Sequence, residues 1–148
     1  MAIDAAFVAV LAAALAGLVL SVAIEGLMTP RPPMARPWAA WALHGGLWLS
    51  AHAVLTLVLG RPWFAAAAVS AFLLMLVLVN NAKFKALREP FVFQDYEYFT
   101  DAIRHPRLYI PFLGWGKFLA AAAGFVLAVT VGLWMEEAPL QRLAWSGQ

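Results

Sequence analysis

Lys83, Lys85 and Arg88 stand close together, and Arg104 and Arg107 follow on the far side of an acidic run. Basic side chains gathered this way beside an apolar segment are suited to a lipid phosphate headgroup, each contributing roughly 1 kcal/mol of attraction near an anionic surface. All five are candidate headgroup ligands. Between them lies Asp95-x-Glu97 with Asp101 a turn further on. Paired acids of this kind can hold a divalent ion on a phosphate-bearing donor, and they serve equally as the solvated face and dipole partners of a surface helix. The second role is the one expected here, so no metal site is assigned. Asn81, Glu89, Asp95, Glu97, Asp101, His105 and Tyr109 are candidates for a polar network around the cations.

A search for catalytic motifs finds no HExxH, P-loop, G-x-S-x-G or dinucleotide fingerprint in the sequence. No catalytic residue is assigned. His44 and His52 are eight apart on one apolar run that carries no Asp, Glu or Cys, too few ligands for a metal, and they are expected to be hydrogen-bonded packing residues. The chain has no cysteine, which excludes disulfides, thiolate metal sites and a cysteine nucleophile.

The elements that must position these groups are apolar. The chain is 64% hydrophobic and 12% charged, with a mean hydropathy of +0.80, whereas soluble domains are about one quarter charged. Ten of its eighteen Lys, Arg, Asp and Glu residues fall in 80–117. The expected fold is all-α: a single transmembrane domain over 1–148, an integral membrane bundle of four transmembrane helices, with one interfacial amphipathic helix between spans three and four. The spans are expected at about 5–25, 38–59, 62–82 and 118–135, and the interfacial segment at about 90–117. A run of about 20 residues at 1.5 Å each crosses a hydrocarbon core of roughly 30 Å. The start ahead of the first span carries Asp4 and no Lys or Arg, so the span is expected to be retained rather than cleaved as a signal peptide.

Punctuation between the spans is clear. Four prolines and two arginines in 28–37 prevent helix continuation, and Gly60-Arg61-Pro62 makes a tight turn with Pro62 at a first helical position. Glu25 is read as a boundary residue. Tyr96, Phe99 and Ile103 share one helical face while Glu97, Asp101, Arg104 and His105 share the other, an amphipathic pattern. The segment 108–116, broken by a proline and two glycines, is expected to be a dipping or interfacial connector rather than a helix. Small residues four apart at Ala5, Ala9, Ala13, Gly17 and Ser21, at Ala42, Gly46 and Ser50, and at Ala120, Gly124, Ala128 and Gly132 predict close helix contacts on spans one, two and four, the last stripe continuing to Glu136.

Eight basic residues fall at one end of such a bundle, leaving Arg61 and Arg142 at the other, so the positive-inside rule places the polar segment on the cytoplasmic side. The net charge of +2 comes from basic residues that flank apolar spans, which favours anionic phospholipid as partner and not nucleic acid.

The wording of the polar segment adds to this. Asn81, Lys83, Lys85, Arg88, Glu89, Pro90 and Asp95, followed by His105-Pro106-Arg107-Leu108-Tyr109-Ile110-Pro111-Phe112-Leu113-Gly114, resembles the membrane region of bacterial phosphoglycerol transferase and lipoteichoic-acid-synthase-like proteins of the alkaline phosphatase/sulfatase superfamily. The resemblance implies a multi-pass protein of the bacterial inner (cytoplasmic) membrane. In that family a large extracytoplasmic domain with a threonine nucleophile and a divalent metal performs the chemistry. Thr56, Thr100 and Thr130 lack the family's surrounding motif, so the resemblance implies the membrane module without the catalytic domain, either cut short from a longer enzyme or encoded alone, and no cofactor is expected in this chain. Better-known members have five spans and a cytoplasmic N-terminus, which would put the polar segment outside, against the charge rule. The alternative expectation is a small non-enzymatic membrane subunit for lipid binding or envelope-complex assembly.

Overall fold

A computed structural model describes residues 2–135. Six α-helices follow one another: α1 (Ala2–Glu25), α2 (Trp38–Leu59), α3 (Pro62–Leu87), α4 (Tyr96–Arg104), α5 (Pro106–Leu113) and α6 (Trp115–Met135), with a 3-10 turn over Phe93–Asp95. Four of them, α1, α2, α3 and α6, are long and apolar enough to cross a membrane. The chain is an all-α multi-pass membrane protein. Glu136, Arg142 and the rest of the C-terminal tail lie outside the described residues.

Short local signals set the helix ends. Gly60 takes a left-handed conformation at φ 66°, and its N–H closes α2 on the Thr56 carbonyl at 2.7 Å. Pro62 then opens α3 at a position where its missing N–H costs nothing. Helix α3 stops at Arg88, itself left-handed at φ 58°, because Pro90 disfavours helical geometry at Glu89.

Helix α3 is the centre of the bundle and packs against α1, α2, α5 and α6. Its contact with α1 is the most extensive, as small faces allow: Ala13, Gly17 and Ser21 of α1 are buried, as are Ala65, Ala66 and Ser70 of α3. The bulk comes from α2. Trp48 is 4% exposed and packs on Ala13 and Ala66. His52 is 2% exposed, stacks on Trp48 with ring centroids 5.2 Å apart, and donates from Nε2 to the Pro62 carbonyl at 3.1 Å. One aromatic-rich face therefore fills the space that two small-residue faces leave.

Four expectations are corrected here. The spacing of Ala42, Gly46 and Ser50 predicts a helix contact, but all three are exposed, because α2 turns its Trp48 and His52 face inward. Likewise Ala120 and Gly124 of α6 are exposed, while Gly132 of that stripe closely approaches Phe64 of α3; the Ala128 side chain lies outside the described residues. The segment 108–116, expected not to be helical, is helical on both sides of Gly114. Pro106, with φ preset, starts α5, the Leu108 N–H bonds to the His105 carbonyl at 3.0 Å, and the helix runs through Pro111 to Leu113. An eight-residue helix tolerates Pro111 because it forfeits a single bond. Gly114, at φ 87°, turns the chain directly into α6, which begins at Trp115 rather than Phe118.

Candidate functional site

Asn80 and Asn81 end the apolar part of α3, and their amides tie three segments together. Asn80 Nδ2 donates to the Thr29 carbonyl at 2.8 Å, while its Oδ1 accepts the Phe91 N–H at 2.9 Å. Asn81 Oδ1 accepts the Thr29 N–H at 2.6 Å, and its Nδ2 donates to the Leu27 carbonyl at 2.9 Å. Loop backbone near an apolar bundle must pair its polar groups. This doublet does so for the loop after α1 and for the turn after α3 at once.

One turn further, Lys83 and Asp95 close a hook. Lys83 Nζ donates to Asp95 Oδ2 at 2.5 Å and to the Pro90 carbonyl at 3.2 Å, and the same carboxylate oxygen accepts the Val92 N–H at 2.7 Å. The ammonium of Lys83, then the Val92 N–H, hold the Asp95 carboxyl below its usual range, with partial burial opposing them. Stabilisation from this depressed acid is therefore complete above the ordinary carboxylate value of about 3.9 and is lost as pH falls through the lower folded-state value. A carbon-13 carboxyl titration should place the Asp95 midpoint below about 3.9, and Lys83→Met should move it upward. Identical midpoints in the two proteins would show that Lys83 does not hold the acid.

Beside the hook lies an open groove of about 650 Å³. Lys85 and Arg88 line it from the end of α3, and Lys117 lines it from the first turn of α6. Thr29, Leu78, Phe84 and Pro111 form much of the remaining wall. No acid lines it among the described residues. Arg88 occupies a left-handed cap where glycine would be easier, at a cost of roughly 1–2 kcal/mol. The arrangement can bind an anion at the polar end of the bundle, with apolar surface running down α3 from it.

A second polar cluster lies between the C-terminal end of α1 and the N-terminal end of α2. Arg36 Nη1 and Nη2 donate to Glu25 Oε1 and Oε2, both at 2.7 Å, and the guanidinium lies 3.9 Å from the Trp41 ring centre. His44 Nδ1 is 3.4 Å from Glu25 Oε2. The Ser21 hydroxyl donates to the Leu18 carbonyl at 2.7 Å, so it accepts from His44 Nε2 at 2.9 Å. The two terminal nitrogens of Arg36 are paired within this cluster, while its buried Nε has no partner among the described residues, and the cluster fixes the 26–37 loop to the bundle. Glu25 is thus a paired side chain rather than a bare boundary residue.

The structure distributes the residues singled out from sequence unevenly. Lys85 and Arg88 reach the groove, while Lys83 is turned away to Asp95. Arg104 and Arg107 are exposed on α4 and α5 and do not line the groove. Asn81 and Asp95 join the polar network. Glu89, Glu97, Asp101 and His105 are exposed; the Asp101 carbonyl accepts the His105 N–H at 2.7 Å as α4 ends. Tyr109 lies within α5, and its side chain is outside the described set. Among the described residues no three His, Asp or Glu side chains gather to hold a metal ion. Asn80, Thr29 and Lys117 are the contributors that sequence reasoning passes over. The Asn80-Asn81 doublet at the end of an apolar run is the one signal that points to them.

Comparison with known proteins finds no matching family model, no matching curated protein and no matching solved structure.

Proposed function

We propose that this chain is the membrane-anchoring and lipid-headgroup-binding module of a phosphoglycerol-transferase-like enzyme of the bacterial cell envelope, seated in the inner membrane. The observation that carries the headgroup reading is the groove, where Lys85, Arg88 and Lys117 converge without an acid among the described lining residues. The resemblance of the segment 80–114 to the membrane region of phosphoglycerol transferases supports the enzyme class. Catalysis and its divalent metal belong to an attached or partner sulfatase/phosphatase-like domain. Within this chain the spans fix the module in lipid, Asn80 and Asn81 hold the groove walls together, and the three cations bind an anionic phospholipid from the adjoining leaflet. The charge rule assigns that leaflet to the cytoplasmic side.

Native mass spectrometry of the purified chain tests this. Wild type should retain phosphatidylglycerol in preference to phosphatidylethanolamine. The combined Lys85→Gln, Arg88→Gln and Lys117→Gln variant should lose that preference, and Lys83→Gln should keep it because Lys83 is spent on Asp95. Equal retention of the two lipids by wild type would remove the headgroup reading. The enzyme class is tested separately by the coding sequence around this chain: a phosphatase-superfamily domain in frame or adjacent supports it, and its absence favours a non-enzymatic lipid-binding subunit.

A further inference from the structure

The charge balance of the groove selects among phosphates. Lys85, Arg88 and Lys117 share it and no acid is among its described lining residues; Asp95 is paired with Lys83, and Glu89, next to Arg88 in the chain, is exposed and does not line the groove. The Asn81 amide is likewise spent on Thr29 and Leu27. Gly116 and Lys117 lie in the first turn of α6, so the positive end of that helix adds to the same field. A phosphodiester headgroup brings one negative charge to this set. A terminal phosphate brings close to two at neutral pH, because its second ionisation lies near 6. Three cations at the edge of a low-dielectric bundle repel one another, so the dianion relieves more repulsion than the monoanion.

The rest of the groove is suited to what carries such a phosphate. Leu78, Phe84 and Pro111 form its apolar walls, and Leu78 lies within the apolar span on the side away from the cations. A phosphate seated between Arg88 and Lys117 would leave an attached hydrocarbon chain lying along α3. We infer that the groove is a binding site for a terminal phosphate group, a phosphomonoester, borne by a lipid. This rests on the headgroup-binding reading and narrows it. Lys85 and Lys117 supply charge from flexible stems, while Arg88 offers the planar fork that pairs two phosphate oxygens at once. The left-handed backbone at Arg88 sets the direction from which that fork enters.

The test is a titration of the full chain in zwitterionic nanodiscs with dioleoylphosphatidate, dioleoylphosphatidylglycerol and inorganic phosphate. At about pH 8, well above the second ionisation near 6, phosphatidate should bind about tenfold more tightly than phosphatidylglycerol, and the preference should shrink as pH falls below about 6. Each single change among Lys85→Gln, Arg88→Gln and Lys117→Gln should weaken phosphatidate about fivefold, and the three together about 100-fold. Lys85→Arg with Lys117→Arg should retain wild-type binding, which separates lost charge from lost folding. Equal affinity for the two lipids would overturn the phosphomonoester assignment while leaving the headgroup reading intact. Inorganic phosphate binding as tightly as phosphatidate would overturn the lipid-borne assignment. Binding of neither lipid would overturn both readings together.

Discussion

Gly17→Leu is expected to lower the thermal stability of the purified protein sharply, whereas Gly124→Leu leaves it unchanged or slightly raised. A Cβ at Gly17 would collide with the Trp48 indole and lie 3.2 Å from the Ala66 Cβ. The indole has little room to retreat, being 4% exposed and stacked on the buried His52 ring. Overpacking a filled core costs about 1–3 kcal/mol and sometimes more, and a leucine at this crossing forces α1 off both α2 and α3, so the upper end of that range applies. At Gly124 no atom among the described residues lies within 4 Å of the added Cβ. Leucine there points away from the bundle and replaces a poor helix former with a good one, a gain of up to about 1 kcal/mol in a helix interior. Melting temperatures in one detergent distinguish the two. Equal losses at both positions would mean that the Gly124 face of α6 is also a packed interface.

These two glycines show how far the sequence can be read. Residues four apart and small identify a smooth helix face, but not what lies against it. On α1 the face at Ala13, Gly17 and Ser21 is buried, because α2 presents Trp48 to it. On α2 the face at Ala42, Gly46 and Ser50 is exposed. Where lipid is the solvent, burying an apolar face carries little hydrophobic gain, so packing rather than polarity chooses the inward side. That choice depends on the partner helix. The number and order of the spans depend only on apolar run length and on Gly and Pro punctuation, and they are legible from the chain alone, whereas α3 runs on to Leu87 and α6 begins at Trp115, both beyond the apolar runs.

The site divides in the same way. Its location in 80–117 follows from where the charges are, and Lys85 and Arg88 do line the groove. Lys83, two residues from Lys85, does not, because Asp95 returns to it across a turn that no helical spacing encodes. Lys117 joins only because the break at Gly114 brings the start of α6 back beside α3. Both facts belong to tertiary structure, as does the pairing of Glu25 with Arg36 across the proline-rich loop.

Asn80→Leu should therefore disable the groove without touching a cation. Asn80 is 5% exposed, and its amide satisfies the Thr29 carbonyl and the Phe91 N–H together. Leucine has similar bulk but pairs with neither. Leaving a buried polar group unpaired costs about 1–3 kcal/mol, so with Thr29 partly reachable by water a loss of about 2 kcal/mol is expected. The functional loss should exceed what stability alone predicts. Thr29 and Arg88 both line the groove, and the Phe91 N–H that Asn80 holds lies three residues after Arg88. Asn80→Asp separates the two tasks: it keeps an acceptor for the Phe91 N–H and removes the donor to Thr29. Hydrogen exchange at the Phe91 amide should accelerate in Asn80→Leu and stay slow in Asn80→Asp, while binding of phosphatidylglycerol weakens in both. If Phe91 exchanges as slowly in Asn80→Leu as in wild type, the turn is held by the Lys83–Asp95 hook alone, and the asparagine serves only the loop after α1.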